Sequence, residues 1–356
     1  MEKKLQVSIG RDIEVGSCFV KVLEVLFRYY GFDLKTYSIE GISECLEVLY
    51  SKCDFENEIE PKIFVNKSSE IQNALNTKLP VHLQREHFNT YEEGIHYVKK
   101  EIDNGRPVCI AVNTYYLNYS DDYHTKYGGL FKNYHMLIVK GYSDENNQVY
   151  VVDPALFKDD ESIPYDELKS AWDDGTGIER EYHPYVYYDF KIEQPIENLK
   201  DIIFQSFVSN LSNFFTDTKC NRCGIEFQRG IVGLQEICDD LKKLSKYDLN
   251  DAFREKAIDS IYQGGFHLIR YTRLDFQLYF NEYFGNEIFP ELSVLFDKWT
   301  EFLTKLAIVT RLRKYENVFK CAEQLQEIIN FEKELFQRID DFCKEKQSSK
   351  NFKEEK

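Results

Sequence analysis

Short apolar segments rich in β-branched and aromatic residues recur through the first half of the chain. The clearest are Pro107–Asn113, His135–Val139, Gln148–Asp153 and Pro184–Phe190. This composition, with turn-forming residues between the segments, predicts strands. Thr90 and Glu93 form a capping box and Asn104–Gly105 is a typical helix end, so residues 90–104 predict a helix. The first half therefore predicts a mixed α+β fold.

After Gln194–Pro195 the strand pattern ends and apolar residues recur at helical spacing. We expect about five helices up to residue 345, with a kink or break at Gly264–Gly265. The Lys/Glu/Ser-rich end of the chain predicts disorder. The predicted organisation is an α+β domain over residues 1–192, an all-α domain over 195–345 and a disordered tail over 346–356.

The net charge of −16 and the pI near 5.0 narrow the classes of partner. Nucleic acid and anionic membranes are not expected partners, because both attract Lys- and Arg-rich surfaces. An acidic field instead favours cationic ligands such as polyamines or amino sugars. No apolar segment approaches ~20 residues, and nine irregularly spaced cysteines indicate free thiols. We therefore expect a cytoplasmic protein that spans no membrane.

Cys18 lies at the start of a predicted helix. Apolar residues follow it at helical spacing until Gly31. They are Val20, Leu23, Leu26, Phe27 and Tyr30. At a helix N-terminus the dipole and the free N–H groups favour a thiolate and stabilise an oxyanion. Taken alone, Cys18 is better explained as a small core residue, like Cys45 or Cys109.

Residues 134–142 and 148–154 predict a β-hairpin around the turn-forming segment Ser143–Asn147. If the pairing is centred on that turn, the numbers of two opposite residues add up to about 290. His135 then lies opposite residue 155, and Asp153 is its diagonal neighbour on the other strand. A carboxylate on Nδ1–H of a histidine fixes its tautomer and stabilises its charged form. Taken separately, a histidine among apolar residues is typical of a core, and Asp-Pro is typical of a turn.

Together, these three residues have the layout of papain-like cysteine enzymes, with an early cysteine at a helix start and a later histidine and aspartate on a hairpin. We predict a papain-like fold with Cys18 as nucleophile, His135 as base and Asp153 as orienting carboxylate. Cys220 and Cys223 have a spacing seen in metal sites, but no second ligand pair accompanies them. We interpret them as structural, and expect no metal and no bound cofactor.

Three motifs resemble the N-terminal domain of the butirosin-biosynthesis acyltransferase family, which is related to the peptidases that trim bacteriocin leader peptides. They are Gly105–Tyr119 (GRPVCIAVNTYYLNY), His135–Tyr142 (HMLIVKGY) and Val149–Pro154 (VYVVDP). The resemblance extends over roughly residues 10 to 190 and places the family's nucleophile, base and carboxylate at Cys18, His135 and Asp153. Two residues depart from the family pattern, since Asn113 replaces an acidic residue and Asn118 replaces a proline. The segment Arg11–Val15 also lacks the glutamine that often donates to the oxyanion in papain-like enzymes.

The resemblance implies acyl transfer from the phosphopantetheine thioester of a carrier protein to an amine, as in cysteine-protease-like amide synthases of the closthioamide type. We expect Ser17, Asn113, Tyr115, Tyr116 and Tyr119 to line the substrate site, the tyrosines as a barrier to water. A small amine is the expected acceptor. Docking the carrier would require a basic patch, for which the candidates are Arg270, Arg273, Arg311, Arg313 and Lys314. The same cluster is equally consistent with a solvated helix face.

Two other functions share the same residues. A cysteine peptidase uses the same nucleophile and base, and a papain-like scaffold that only binds a partner retains the same fold. Peptide cleavage without an amine acceptor favours the first of these, and an unreactive Cys18 favours the second.

Overall fold

The computed structural model describes residues 1–10, 16–43, 45–64, 68–125, 134–173, 184–222, 224–246, 249–267 and 272–354. The chain forms two compact units. The first unit contains Met1–Ile39 and Leu75–Glu197, and the second contains Glu40–Ala74 and Asn198–Lys356.

The first unit is built on an antiparallel sheet. Its described strands are β1 (Glu2–Lys4), β4 (Val81–His87), β5 (Val108–Asn113), β6 (Tyr134–Ser143), β7 (Gln148–Asp153), β8 (Lys158–Pro164) and β9 (Val186–Ile192). The strand order is β4-β9-β5-β6-β7-β8, and β1 pairs with one end of β6. All four segments that predicted strands therefore lie in this one sheet.

Three helices cover the sheet of the first unit, namely α1 (Cys18–Tyr29), α4 (Tyr91–Asp103) and α5 (Tyr165–Asp173). Helices α4 and α5 enclose the main core with residues such as Leu137, Val151 and the fully buried Trp172. The opposite face of the sheet carries α1, where Phe19 lies 4.8 Å from Tyr188 between ring centroids. Two short helices, α2 (Thr36–Ile42) and α3 (Ser68–Lys78), cross the boundaries between the units.

The second unit is helical apart from one small sheet. Its helices are α6 (Leu199–Phe215), α7 (Gly230–Leu244), α8 (Asp251–His267), α9 (Leu274–Phe284), α10 (Glu291–Arg311) and α11 (Val318–Glu354). The sheet contains β2 (Leu49–Ser51), β3 (Lys62–Phe64), β10 (Lys219–Arg222) and β11 (Ile225–Arg229) in the order β10-β11-β2-β3. In the helical core, Glu332 accepts hydrogen bonds from Arg273 at 2.6 Å and from Trp299 at 2.8 Å.

The mixed α+β fold with a helical C-terminal region is confirmed. Residues 40–74 differ from expectation, because β2 pairs with β11 and so joins this segment to the second unit. Helix α8 continues through Gly264 and Gly265, where we expected a kink. A Cβ atom at Gly264 would lie 2.5 Å from Ile63, so this glycine permits close packing rather than a bend.

The end of the chain also differs from the expected disordered tail. Helix α11 continues to Glu354. The Lys and Glu residues that suggested disorder are also strong helix formers, so they allow an established helix to propagate.

Candidate active site

Cys18 is the first residue of α1 and is partly exposed. Ser17 is the N-cap, and its hydroxyl accepts a hydrogen bond of 3.4 Å from the Val20 N–H. The first turn of α1 contains no acidic side chain. Gly31, at φ +88°, follows the C-terminal end of the helix as predicted. The remaining N–H groups and the dipole of α1 are therefore available to a negative charge at Cys18.

The β6–β7 hairpin brings His135 and Asp153 together. Ile138 pairs with Val152 and Val139 with Val151, as expected from the turn. A β-bulge at Lys140 then shifts the register, so that Gly141 pairs with Tyr150. Nε2 of His135 lies 2.7 Å from Oδ2 of Asp153. Both side chains are buried, His135 at 6% exposure and Asp153 at 0%.

The carboxylate of Asp153 is held by four donors. Oδ1 accepts hydrogen bonds from the backbone N–H groups of Ala155 and Leu156, at 3.2 and 3.1 Å. Oδ2 accepts one from the Tyr119 hydroxyl at 3.2 Å and faces His135. These contacts fix the direction of the carboxylate and compensate for its burial. The role of Tyr119 beside Asp153 was not predicted, because nothing in local spacing relates residue 119 to residue 153.

The environment of His135 favours its charged form. Burial lowers the pKa of His135, but hydrogen bonds with Asp153 and Cys18 and the negative charge of both groups raise it to about 10. Because Nε2 faces Asp153, Nδ1 is the nitrogen left for the Cys18 thiol. We expected the carboxylate at Nδ1, and the structure places it at the other ring nitrogen. An imidazole between a carboxylate and a thiol is chemically able to accept a proton from one partner and return it.

The predicted substrate-binding residues lie at the end of β5 and in the segment after it. Asn113 is buried, and its side-chain oxygen accepts a hydrogen bond of 3.0 Å from the Tyr115 N–H. Tyr115 and Tyr116 belong to a 3-10 turn and are half-buried. The Tyr115 ring lies 5.1 Å from the ring of His124. Val112 pairs with His135, so this segment leaves the sheet beside the candidate site.

Phe157 is a residue near the site that the sequence did not single out. It lies four positions after Asp153, is 64% exposed and has φ +56°, a conformation unusual for a large side chain. The Lys21 ammonium lies 4.9 Å from the centroid of the Phe157 ring, and Lys21 is one turn after Cys18 on α1. An exposed aromatic ring held in a strained backbone position is a signal that only the structure reveals.

These contacts bring one cysteine, one histidine and one carboxylate together at the start of a helix and the end of a sheet. Residues 17–154 match the family described as butirosin biosynthesis protein H, N-terminal. The resemblance predicted from the motifs is thereby confirmed for this segment. The butirosin family indicates an acyltransferase of antibiotic biosynthesis. No curated protein matches the chain.

Several expectations fall outside the described residues, namely those for Arg11–Val15, Cys223 and Arg270. Arg273 does not belong to a surface patch, since it is 3% exposed and paired with Glu332. Where the structure describes the chain, no three His, Cys, Asp or Glu residues are grouped as metal ligands. No described helix is both long and apolar enough to cross a bilayer.

Proposed function

We propose that this protein is an acyltransferase that forms amides through an acyl-Cys18 intermediate. The observation that carries the proposal is the contact of His135 with both Asp153 and Cys18, at the N-terminus of α1. The donor is an acyl or peptidyl thioester on the phosphopantetheine arm of a carrier protein. The acceptor is a small amine, such as a diamine or an amino sugar. The butirosin-family match supports both assignments.

In the first step, the Cys18 thiolate attacks the thioester carbonyl carbon and a new C–S bond forms. The N–H groups at the start of α1 stabilise the oxyanion. The bond to the pantetheine sulfur then breaks, and the His135 imidazolium gives its proton to the leaving thiolate. The raised pKa of His135 ensures that this proton is present at neutral pH. Exchange of one thioester for another is nearly neutral in free energy.

In the second step, the neutral amine attacks the acyl-Cys18 carbonyl. His135 accepts a proton from the amine nitrogen as the new C–N bond forms and the Cys18 C–S bond breaks. Acylation removes the negative charge of Cys18, one of the causes that raise the pKa of His135. The histidine is thus a better proton acceptor in the acyl-enzyme than in the free enzyme. Amides are more stable than thioesters, so this step is downhill.

Ser17, Asn113 and the tyrosines have supporting roles in this proposal. Ser17 caps α1 and so fixes the position of Cys18. Asn113 holds the turn that carries Tyr115 and Tyr116. These rings form a wall of the acyl site that limits access of water to the intermediate. Tyr119 positions Asp153.

Intact-protein mass spectrometry tests the proposal. The full chain is incubated with a panel of acyl-pantetheine thioesters and then treated with a diamine, beside a Cys18→Ala variant. The expected result is one acyl adduct on the wild-type chain, none on Cys18→Ala, and release of the adduct as an amide. Absence of an adduct with every donor, from a chain whose Cys18 also resists alkylation, contradicts catalysis. An adduct that water removes as fast as the amine does contradicts amide synthesis and favours the peptidase.

A further inference from the structure

Exposed apolar side chains gather at one end of the second unit. Ile308, Leu312 and Phe319 are 52%, 57% and 46% exposed. The first two lie at the C-terminal end of α10, and Phe319 lies in the first turn of α11. They are three of the eight large apolar side chains that are exposed within the described residues. All three lie between residues 308 and 319, around the connection from α10 to α11, whereas the other five are spread along the chain.

Basic side chains surround these apolar residues. Residues 305–320 include Lys305, Arg311, Arg313, Lys314 and Lys320, against one acidic residue, Glu316. Lys242 and Lys243 of α7 and Lys246, just after this helix, line a cavity of about 550 Å³ together with Asp239 and Phe319. On the other side, α10 and α11 form an open groove of about 650 Å³, lined by Ile308 and by equal numbers of lysines (Lys298, Lys305 and Lys320) and glutamates (Glu301, Glu323 and Glu327). We call this whole region the Phe319 surface.

Part of the positive charge of the Phe319 surface is already neutralised. Lys305 pairs with Glu301 at 2.6 Å, Lys242 with Asp239 at 3.1 Å and Arg313 with Glu255 at 2.9 Å. Arg311, Lys314, Lys320 and Lys246 have no ion pair within the described residues. A chain with a net charge of −16 thus concentrates unpaired cations around exposed apolar side chains at one place.

We infer that the Phe319 surface docks an acidic protein through an amphipathic helix that presents carboxylates around an apolar centre. The exposed Ile308, Leu312 and Phe319 contact the apolar centre of that helix, and the cations at the end of α10 and the start of α11 attract its carboxylates. A second copy of this chain fits less well, because a symmetric contact places the same cations opposite one another.

The carrier protein is the partner that the proposed function requires, and the identity of the partner rests on that proposal. The docking surface itself rests only on the exposed apolar residues and their cations. The two are separable by experiment, because a free acyl-pantetheine thioester acylates Cys18 without docking a protein.

The test measures binding of a fluorescently labelled, phosphopantetheinylated acidic acyl carrier protein to the full chain. Binding is expected to weaken with salt. The triple variant Arg311→Glu, Lys314→Glu, Lys320→Glu is expected to raise the Kd about tenfold or more. A control triple, Lys200→Glu, Lys256→Glu, Lys333→Glu, changes the net charge equally at exposed positions elsewhere in the second unit, and is expected to change the Kd less than about twofold. Phe319→Ala is expected to raise the Kd about fivefold without changing the salt dependence.

Three outcomes overturn the inference. They are no binding of the carrier at low salt, an equal loss in both triple variants, and displacement of the carrier by an RNA oligonucleotide or by anionic vesicles. Acylation of Cys18 by free acyl-pantetheine is expected to be the same in all these variants. If the carrier binds at this surface but Cys18 takes no acyl group, the proposed function fails and the docking surface stands.

Discussion

The hydroxyl of Tyr119 donates a hydrogen bond of 3.2 Å to Oδ2 of Asp153, the same oxygen that faces His135. Burial and the adjacent carboxylate raise the pKa of Tyr119 well above its usual value, so the hydroxyl remains a donor. Tyr119 therefore draws negative charge away from the His135 contact. We place it as a positioning residue of the proposed reaction.

Replacing Tyr119 with phenylalanine is expected to move the basic limb of the pH–rate profile upwards. The carboxylate oxygen loses one donor and so stabilises the His135 imidazolium more strongly. The free energy of unfolding is expected to fall by about 1.5 kcal/mol, the value of a hydrogen bond to a charged group. Tyr123→Phe is the control, because the Tyr123 hydroxyl donates to a different carboxylate, Glu167, at 2.9 Å. An equal shift of the profile in both variants argues against positioning by Tyr119.

The stability of the first unit is expected to depend on pH through His135. The pKa of His135 in the folded state, about 10, lies above its ordinary value of 6.5, so the folded state binds this proton more tightly. The stabilisation is complete below pH 6.5 and is lost as the pH rises through about 10. Hydrogen exchange of β6 amides at pH 6, 8 and 10 measures it. The difference in stability between wild type and His135→Gln is expected to shrink as the pH rises over this range. The substitution Asp153→Asn is expected to remove most of this difference.

Alkylation of cysteines tests the pairing of Cys18 with His135. Cys18 and Cys220 are both partly exposed, whereas Cys45 and Cys109 are buried. We expect iodoacetamide to modify Cys18 before Cys220. The reason is the contact with His135, because a histidine beside a cysteine activates the sulfur as a nucleophile. His135→Gln is expected to reduce the Cys18 rate to that of Cys220, and peptide mapping follows both. Equal rates in the wild-type chain would refute the pairing.

Phe157 provides a prediction that separates binding from stability. A φ of +56° is unfavourable for phenylalanine but not for glycine. The free energy of unfolding of Phe157→Gly is therefore expected to stay the same or to rise by up to about 1 kcal/mol. Loss of the exposed ring is expected to raise the KM for the acyl thioester several-fold with little change in kcat. Asn147→Gly is the control, since Asn147 also has positive φ but lies in the β6–β7 turn. An unchanged KM means that Phe157 does not contact substrate.

The hairpin was predictable because its signal is local. The turn residues 143–147 and the apolar segments beside them determine the pairing, and the pairing places Asp153 near His135. The start of α1 was predictable for the same reason, since Ser17, the apolar stripe and Gly31 lie within one short segment.

The unpredicted features depend on contacts between distant parts of the chain. Strand β2 has three residues, too few for a periodic pattern, and its partner β11 lies far along the sequence. The Tyr119–Asp153 hydrogen bond and the choice of Nε2 on His135 depend on how loops pack against the sheet. Arg273 appeared in the sequence as one of several cations, and only packing shows that it is buried against Glu332.

The β-bulge at Lys140 decides whether His135 and Asp153 of the proposed active site face the same side of the sheet. Between the turn and the bulge, the numbers of two paired residues add up to 291, as for Gly141 and Tyr150. Beyond the bulge they add up to 290, as for Val139 and Val151. Only the second sum places Asp153 on the same side of the sheet as His135, because alternate residues of a strand face opposite sides. If the strands instead kept the register of the turn throughout, with Lys140 paired rather than bulged, every reactive residue would be retained but the carboxylate would face away from the imidazole. A chain with all three residues but with Lys140 paired in this way is expected to be a binding protein rather than an enzyme.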